Sequence, residues 1–305
     1  MMDQAEKLRK IVDNLKSMQI NKQDLVPAIE KKSPKVITVT SGKGGVGKTN
    51  ISVNLGIALS ELGLKVIILD ADFGLANIDV LFGMVPKHTL LDVIHSEKNI
   101  LQVLSDGPCN VKFISGGSGG SGVEELVKLD SSQLEKFLLN ISLMDKIADV
   151  ILIDTGAGLS DNVMNFVMSA DEVLLVTTPE PTSITDAYAL VKMISNRDKE
   201  KLIKVIVNRA EDMHEANDLL NKLSKVSEKF LSLKLEPLGY LLHDEAVVKA
   251  VKAQNPFLIS FPKSIVSKQI RDISKKLICD EYECNDAEMK GIKGFMNRLV
   301  GFLHA

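Results

Sequence analysis

Eight consecutive residues carry the strongest chemical signal in this chain: Gly42-Lys43-Gly44-Gly45-Val46-Gly47-Lys48-Thr49. Glycines let a backbone curl with its N–H groups pointing inward, a surface suited to phosphate oxygens. The spacing is GxxxxGK[ST], in which the lysine bridges the β- and γ-phosphates of a nucleotide and the hydroxyl ligates Mg²⁺. Lys48 and Thr49 fill those two places. A glycine-rich turn with no ligand would not call for either residue. Two acids lie downstream, Asp72 in Asp70-Ala71-Asp72-Phe73-Gly74-Leu75-Ala76-Asn77 and Asp154 in Asp154-Thr155-Gly156-Ala157-Gly158. Beside a phosphate loop, acids at the C-terminal ends of parallel strands are placed for Mg²⁺ and a nucleophilic water. The plainer reading of each is a helix cap or a turn.

These residues need strands and helices to bring them together. Short β-branched runs read as strands at Val36–Thr40, Val66–Asp70, Val111–Ser115, Val150–Asp154, Glu172–Thr177, Leu202–Asn208 and Leu238–Leu242. Several are nearly continuous in apolar residues, as parallel strands covered on both faces are. Helical patterns fall between them, at Lys48–Leu62, Asn162–Met168, Ser183–Asn196, Asp212–Phe230 and Lys263–Leu277. The alternation predicts an α/β fold: a doubly wound, mostly parallel sheet of about seven to eight strands with helices on both faces. Amphipathic helices flank it. The expected organisation is an N-terminal helix over 1–18, a linker over 19–35 and the α/β domain over 36–279. A linker over 280–288 and a C-terminal helix over 289–305 complete it.

Composition narrows the class. With 45% hydrophobic and 25% charged residues the chain is neither disordered nor fibrous. No apolar run reaches the roughly 18 residues of a membrane-spanning helix. The charged start MMDQAEKLRK is unlike a signal peptide, and three cysteines (Cys109, Cys279, Cys284) without CxxC spacing read as reduced thiols. A cytoplasmic location is expected. His88, His95, His214, His243 and His304 form no HExxH pattern, so catalysis falls to lysines, aspartates and Mg²⁺. The net charge of −3 conceals an acidic body at −8 between ends of +2 (1–32) and +3 (289–305). No direct nucleic-acid partner is expected of such a body. Gly117-Ser118-Gly119-Gly120-Ser121-Gly122 matches the GxGxxG of dinucleotide sites, but it does not follow the first strand and reads as a flexible loop.

The extra lysine, Lys43, makes SGKGGVGKT resemble the deviant Walker A motif of the MinD/ParA family of P-loop ATPases. The resemblance spans about residues 35–278 and implies ATP/ADP and Mg²⁺ as cofactors. It implies a nucleotide-sandwich homodimer in which Lys43 reaches the partner's phosphates. The phosphate site then comprises Gly42, Lys43, Gly44, Gly45, Val46, Gly47, Lys48, Thr49 and Asn50. Asp72 would position the attacking water from the first switch segment. Thr49, Asp72 and Asp154 would hold the metal, with the glycines after Asp154 sensing the γ-phosphate. Asn208 and Arg209 match the family's adenine-contacting position, although an Asn at a strand end is commonly a turn former. Glu180, in Thr178-Pro179-Glu180-Pro181-Thr182-Ser183, matches a TxPE segment that contacts nucleotide across the dimer. A Pro-terminated strand and capped helix would read the same.

Both ends resemble appendages within this family. Residues Met289–Ala305 place Ile292, Phe295, Met296, Leu299, Phe302 and Leu303 on one helical face, with Lys290, Lys293 and Arg298 largely elsewhere. A basic amphipathic helix of this kind suits an anionic membrane surface, here the inner face of the cell membrane, or docks on its own body, or does both in alternate states. Gly291, Gly294 and Gly301 each weaken the helix by about 1 kcal/mol, so its folding is expected to wait for a surface. At the other end Asp3 and Glu6 form a capping-box pattern. Asp3-Gln4-Ala5-Glu6-Lys7-Leu8-Arg9 resembles the DQAxxLR motif of the family's flagellar-number branch, the FlhG (YlxH/FleN) type. That branch implies stimulation of an FlhF-type GTPase of the signal-recognition-particle class, with Gln4 near its active site, and flagellar switch (C-ring) partners. A MinD-type division-site regulator and a nucleotide-switched scaffold with little turnover are the alternatives.

Overall fold

All seven apolar runs pair in one sheet. The computed structural model describes residues 33–73, 77–117, 122–279 and 290–303. The N-terminal helix with Gln4, most of the linker after it and the 280–288 linker lie outside these residues. The strands are β1 (Lys35–Thr40), β2 (Val66–Ala71), β3 (Ser105–Asp106), β4 (Lys112–Ile114), β5 (Val150–Thr155), β6 (Glu172–Thr177), β7 (Ile203–Ala210) and β8 (Leu235–Leu242). Their order is β3-β4-β2-β5-β1-β6-β7-β8. Every pairing is parallel except β3 with β4. β2, β5 and β6 are buried along their whole length, as strands sandwiched between helix layers must be.

Seven longer helices cover this sheet: α1 (Lys48–Glu61), α2 (Ser131–Ile141), α3 (Asp161–Ser169), α4 (Pro181–Arg197), α5 (Met213–Leu231), α6 (Ile265–Cys279) and α7 (Gly291–Leu303). One face packs α1 and α6 around Ile37, Val39, Ile68, Leu152 and Ile270. On the other face, Val36, Ile67, Leu69, Ile151 and Ile153 meet α2 and α7, while Val173, Leu175, Val205 and Val207 meet α3, α4 and α5. The alternation of Val36 and Ile37 between the two layers is the period of a strand.

Two departures from the expected elements have local causes. The two-residue β3 is polar, so no hydrophobic period marks it. β8 begins three residues before the expected start, at Leu235, and contains Pro237. A proline cannot donate to a ladder, but β8 is an edge strand, and its register against β7 shifts at that point. Lys35 belongs to β1 rather than to the linker, donating its N–H to Asp149. β1 stands between β5 and β6, and the chain builds one half of the sheet before β5 and the other after it. Ligands of such sheets gather in the crevice at the strands' C-terminal ends. The phosphate-type loop leaves β1 there.

Candidate functional site

The loop Ser41–Gly47 joins β1 to α1, and its glycines serve two different needs. Gly45 and Gly47 adopt positive φ (77° and 96°), which opens the curl before the helix. Gly42 yields space instead: a Cβ there would sit 2.2 Å from the carbonyl oxygen of Asp186 in α4. Ser41 Oγ donates to the Lys43 carbonyl (2.7 Å), and Gly158 N donates to the Ser41 carbonyl (3.0 Å). The second bond ties the loop after β5 to the phosphate loop.

The acids converge beneath it. Asp70 and Asp154 are register partners on β2 and β5, so their carboxyl groups stand side by side. Asp154 is fully buried, and burial pushes its carboxyl up to about 6 against the pull of the Thr49 and Ser52 hydroxyls and the Lys48 ammonium. Ser52 Oγ donates to its Oδ1 at 2.8 Å. Asp70 is pushed up to about 8, by burial and by Asp154, although it accepts backbone N–H groups from Asp72, Asn77 and Ile78. The same burial lowers Lys48, while Asp154 and Asp72 hold it up. One buried lysine among these crowded carboxyl groups leaves the site short of positive charge.

This donor set fits Mg²⁺ with a nucleotide. Asp154 Oδ2 is buried without a hydrogen-bond partner, and the Thr49 hydroxyl lies beside that carboxyl. Among the described residues no three His, Cys, Asp or Glu side chains cluster as a metal cage. Mg²⁺ uses few carboxylates and completes its shell with water and phosphate oxygens. Thr49 and Asp154 would hold the ion, Asp72 would stand toward its water shell, and the metal would supply charge neutralisation at the transferred phosphate. Asp72 is within reach of both loops: a Cβ on Gly156 would lie 3.7 Å from its Oδ1, and Asn77 Nδ2 donates to its Oδ2 at 3.5 Å.

The other expected residues lie around this cluster. Lys43 Nζ bonds Glu180 Oε2 (3.0 Å) and Thr182 Oγ1 (2.8 Å) within the same chain. The ammonium holds the Glu180 carboxyl below its usual range. Thus Lys43 and Glu180, both expected to reach across a dimer, hold one another. Asn208 Nδ2 donates to the Val46 carbonyl (2.7 Å), so its amide is committed to the phosphate loop's backbone. Arg209 follows at φ 59°. Asn50 lies in the first turn of α1, its carbonyl accepting from Asn54 Nδ2 (2.8 Å). Where the GxGxxG match is described its glycines turn and pack: Gly117 adopts φ 88°, and a Cβ on Gly122 would strike the Phe73 ring at 2.2 Å.

The tail helix α7 is folded, and the surface that its glycines were expected to make it need is present. Its surface is the body itself. Ile292, Phe295, Met296 and Leu299 are buried against α2, α3 and the turn at Ser142–Lys146; Leu303 packs at the edge and Phe302 stays exposed. Gly291 turns in at φ 72°, and Asp145 caps the helix, accepting from Ile292 N (2.7 Å) and Lys293 N (3.4 Å). Arg298 donates to the Ser169 carbonyl (2.8 Å) and to Asp171 (2.9 Å), which also accepts from Val36 N. Pattern reading missed Asp70, Ser52, Thr182, Asp145 and Asp171. Only Asp70 had a signal, its place two residues before Asp72; the others acquire partners through the fold.

Comparison with known proteins agrees with this geometry. The family model described as ParA, NUBPL iron-transfer P-loop NTPase, matches residues 32–278. The iron-transfer part of that description has no counterpart among the described residues, where Cys109 and Cys279 are free and exposed. The chain is 42% identical to the antiactivator FleN of Pseudomonas aeruginosa over 87% of its length and 93% of that protein's. It is 34% identical to the flagellum site-determining protein YlxH of Helicobacter pylori, over 90% and 92%. MinD in the MinC:MinD cell division complex of Aquifex aeolicus superimposes with a TM-score of 0.65 at 26% identity, covering 84% of this chain and 99% of that one. The chain belongs to the ParA/MinD family of P-loop NTPases.

Proposed function

We propose that the chain is an ATPase whose nucleotide state controls dimerisation and membrane attachment, and that it regulates flagellar number and placement. The observation that carries the enzymatic part is the buried Lys48–Asp154–Asp70 cluster beneath a formed phosphate loop. Mg²⁺ would supply the missing positive charge there, and ATP the phosphate oxygens that Lys48 and the loop's N–H groups would bind. Asp72, on the loop facing Gly156, orients the water that attacks the γ-phosphate. Lys43 exchanges Glu180 and Thr182 for the phosphates of a second subunit, so two chains close over two nucleotides. In that closed dimer the tails leave their grooves, and two basic amphipathic helices bind the anionic inner face of the cell membrane together. Among the described residues no helix is long and apolar enough to cross a membrane, so attachment is peripheral in this scheme. Hydrolysis reverses it.

The flagellar assignment rests on likeness to FleN and YlxH and on Asp3–Arg9. Gln4 would act on an FlhF-type GTPase, and flagellar switch proteins would be further partners. Asp72→Ala is expected to bind ATP, hydrolyse it slowly and accumulate as a membrane-bound dimer, read by phosphate release and vesicle co-sedimentation. Wild-type turnover in that variant removes Asp72 from its role. Deleting residues 1–18 is expected to spare ATP hydrolysis and abolish stimulation of an FlhF-type GTPase; persistent stimulation defeats the flagellar assignment.

A further inference from the structure

Phe73 and the glycines around it take no part in the chemistry above. Phe73 directly follows Asp72, where the first acid loop leaves β2, and its ring is buried. The glycines make room for it: a Cβ on Gly122 would lie 2.2 Å from the ring and one on Gly116 3.3 Å. The Phe73 ring tilts against Phe166, centroids 6.3 Å apart, and Phe166 tilts against Phe295 of the tail helix at 6.1 Å. Phe166 belongs to α3, the helix entered from the second acid loop, with Ser160 Oγ accepting from Val163 N at its start. At the other end of α3, Ser169 offers its carbonyl to Arg298. Both acid loops therefore reach the tail helix through one ring, the first by contact and the second by chain continuity.

We propose that Phe166 is the coupling residue of the molecule: the Phe73–Phe166–Phe295 contact passes the position of the two acid loops to the docked tail. The idea deepens the nucleotide-switched reading above and rests on it. Rings packed at interior density cannot shift singly, so moving Phe73 obliges Phe166 to re-pack. A helix with a docked and an undocked arrangement is the two-state element such a shift biases. The glycine-rich segment acquires a role as the wall behind Phe73.

Amide hydrogen exchange of residues 291–303 in the full chain tests this, with and without Mg²⁺ and a non-hydrolysable ATP analogue. In the wild type the analogue is expected to raise tail exchange about tenfold, a typical size for coupling between sites. Phe73→Leu and the longer, more flexible Phe73→Met should bind the analogue with nearly unchanged affinity, yet lose most of that rise. Gly122→Ala, pressing on the ring from behind, should raise tail exchange without nucleotide. Coupling through Phe166 is overturned by a full rise in both Phe73 variants, by no rise in a wild type that binds the analogue, or by unchanged exchange in Gly122→Ala. Vesicles of anionic phospholipid separate the two ideas. Release that follows this pattern without vesicle binding upholds the coupling and defeats membrane attachment. A wild type that fails to bind the analogue defeats the nucleotide reading, and Gly122→Ala then decides the coupling alone.

Discussion

The phosphate loop and the tail groove each set a pair of carboxylates against another piece of chain, and the two are built in opposite ways. At the loop, Asp70 and Asp154 stand side by side, Lys48 is buried against them, and Asp154 Oδ2 has no partner. In the groove, Asp145 accepts from two helix N–H groups and Asp171 from Val36 and Arg298, while the remaining contact is apolar. The loop is preformed and short of charge, so a ligand completes it. The groove is already satisfied, so only a competing surface or a change in its walls opens it. Affinity at the first is electrostatic; retention at the second is hydrophobic, with polar contacts fixing the helix's register.

The largest expected effect is at the loop. Lys48→Ala leaves the acids without their internal cation and should weaken ATP binding by about a hundredfold or more, read by titration calorimetry. Near-normal affinity would mean that the site is not short of charge. Phe295→Ala removes a fully buried ring and should weaken tail docking by about 3 kcal/mol, seen as raised exchange over 291–303. A tail that stays protected would show that polar contacts hold it.

The effect of pH sharpens the contrast further. Asp70 and Asp154 bind protons more tightly folded than unfolded, their carboxyls raised from 3.8 to about 8 and about 6. The unfolded chain carries fewer protons across that interval, so nucleotide-free stability should fall as pH rises from about 4 to about 8. Asp70→Asn should flatten the upper part of the fall in melting temperature; an unaltered slope would move the strain elsewhere. Smallest is Arg298→Ala, whose partly buried pair with Asp171 should contribute about 1 kcal/mol to docking, measured by the same exchange. A loss as large as that of Phe295→Ala would reverse the assignment of roles.

Much of this molecule is legible in its sequence because the relevant interactions are local. Residues 42–49 contain both the glycines that shape the loop and the side chains that use it, and the strand and helix alternation places that loop at the C-terminal ends of the sheet's strands. Asp72 and Asp154 follow from the same logic, each at the end of an apolar run. Where partners lie far apart in the chain, pattern reading has nothing to measure. The neutral-looking Ser52 meets Asp154 across 102 residues, and Asn208 meets Val46 across 162. Lys43 engages Glu180 and Thr182 instead of standing free.

The tail shows the division most clearly. Its sequence determines an amphipathic helix, because a period of 3.6 residues is a property of consecutive positions. Which apolar surface meets that helix is a matter of shape, supplied by α2, α3 and the turn bearing Asp145. The sequence by itself determined a nucleotide-binding α/β domain and a tail with one greasy face. The tertiary structure alone decided that the face is covered, that Asp70 and Asp154 crowd one another, and that Phe73, Phe166 and Phe295 touch. Burial and charge proximity arise only when distant segments share a core.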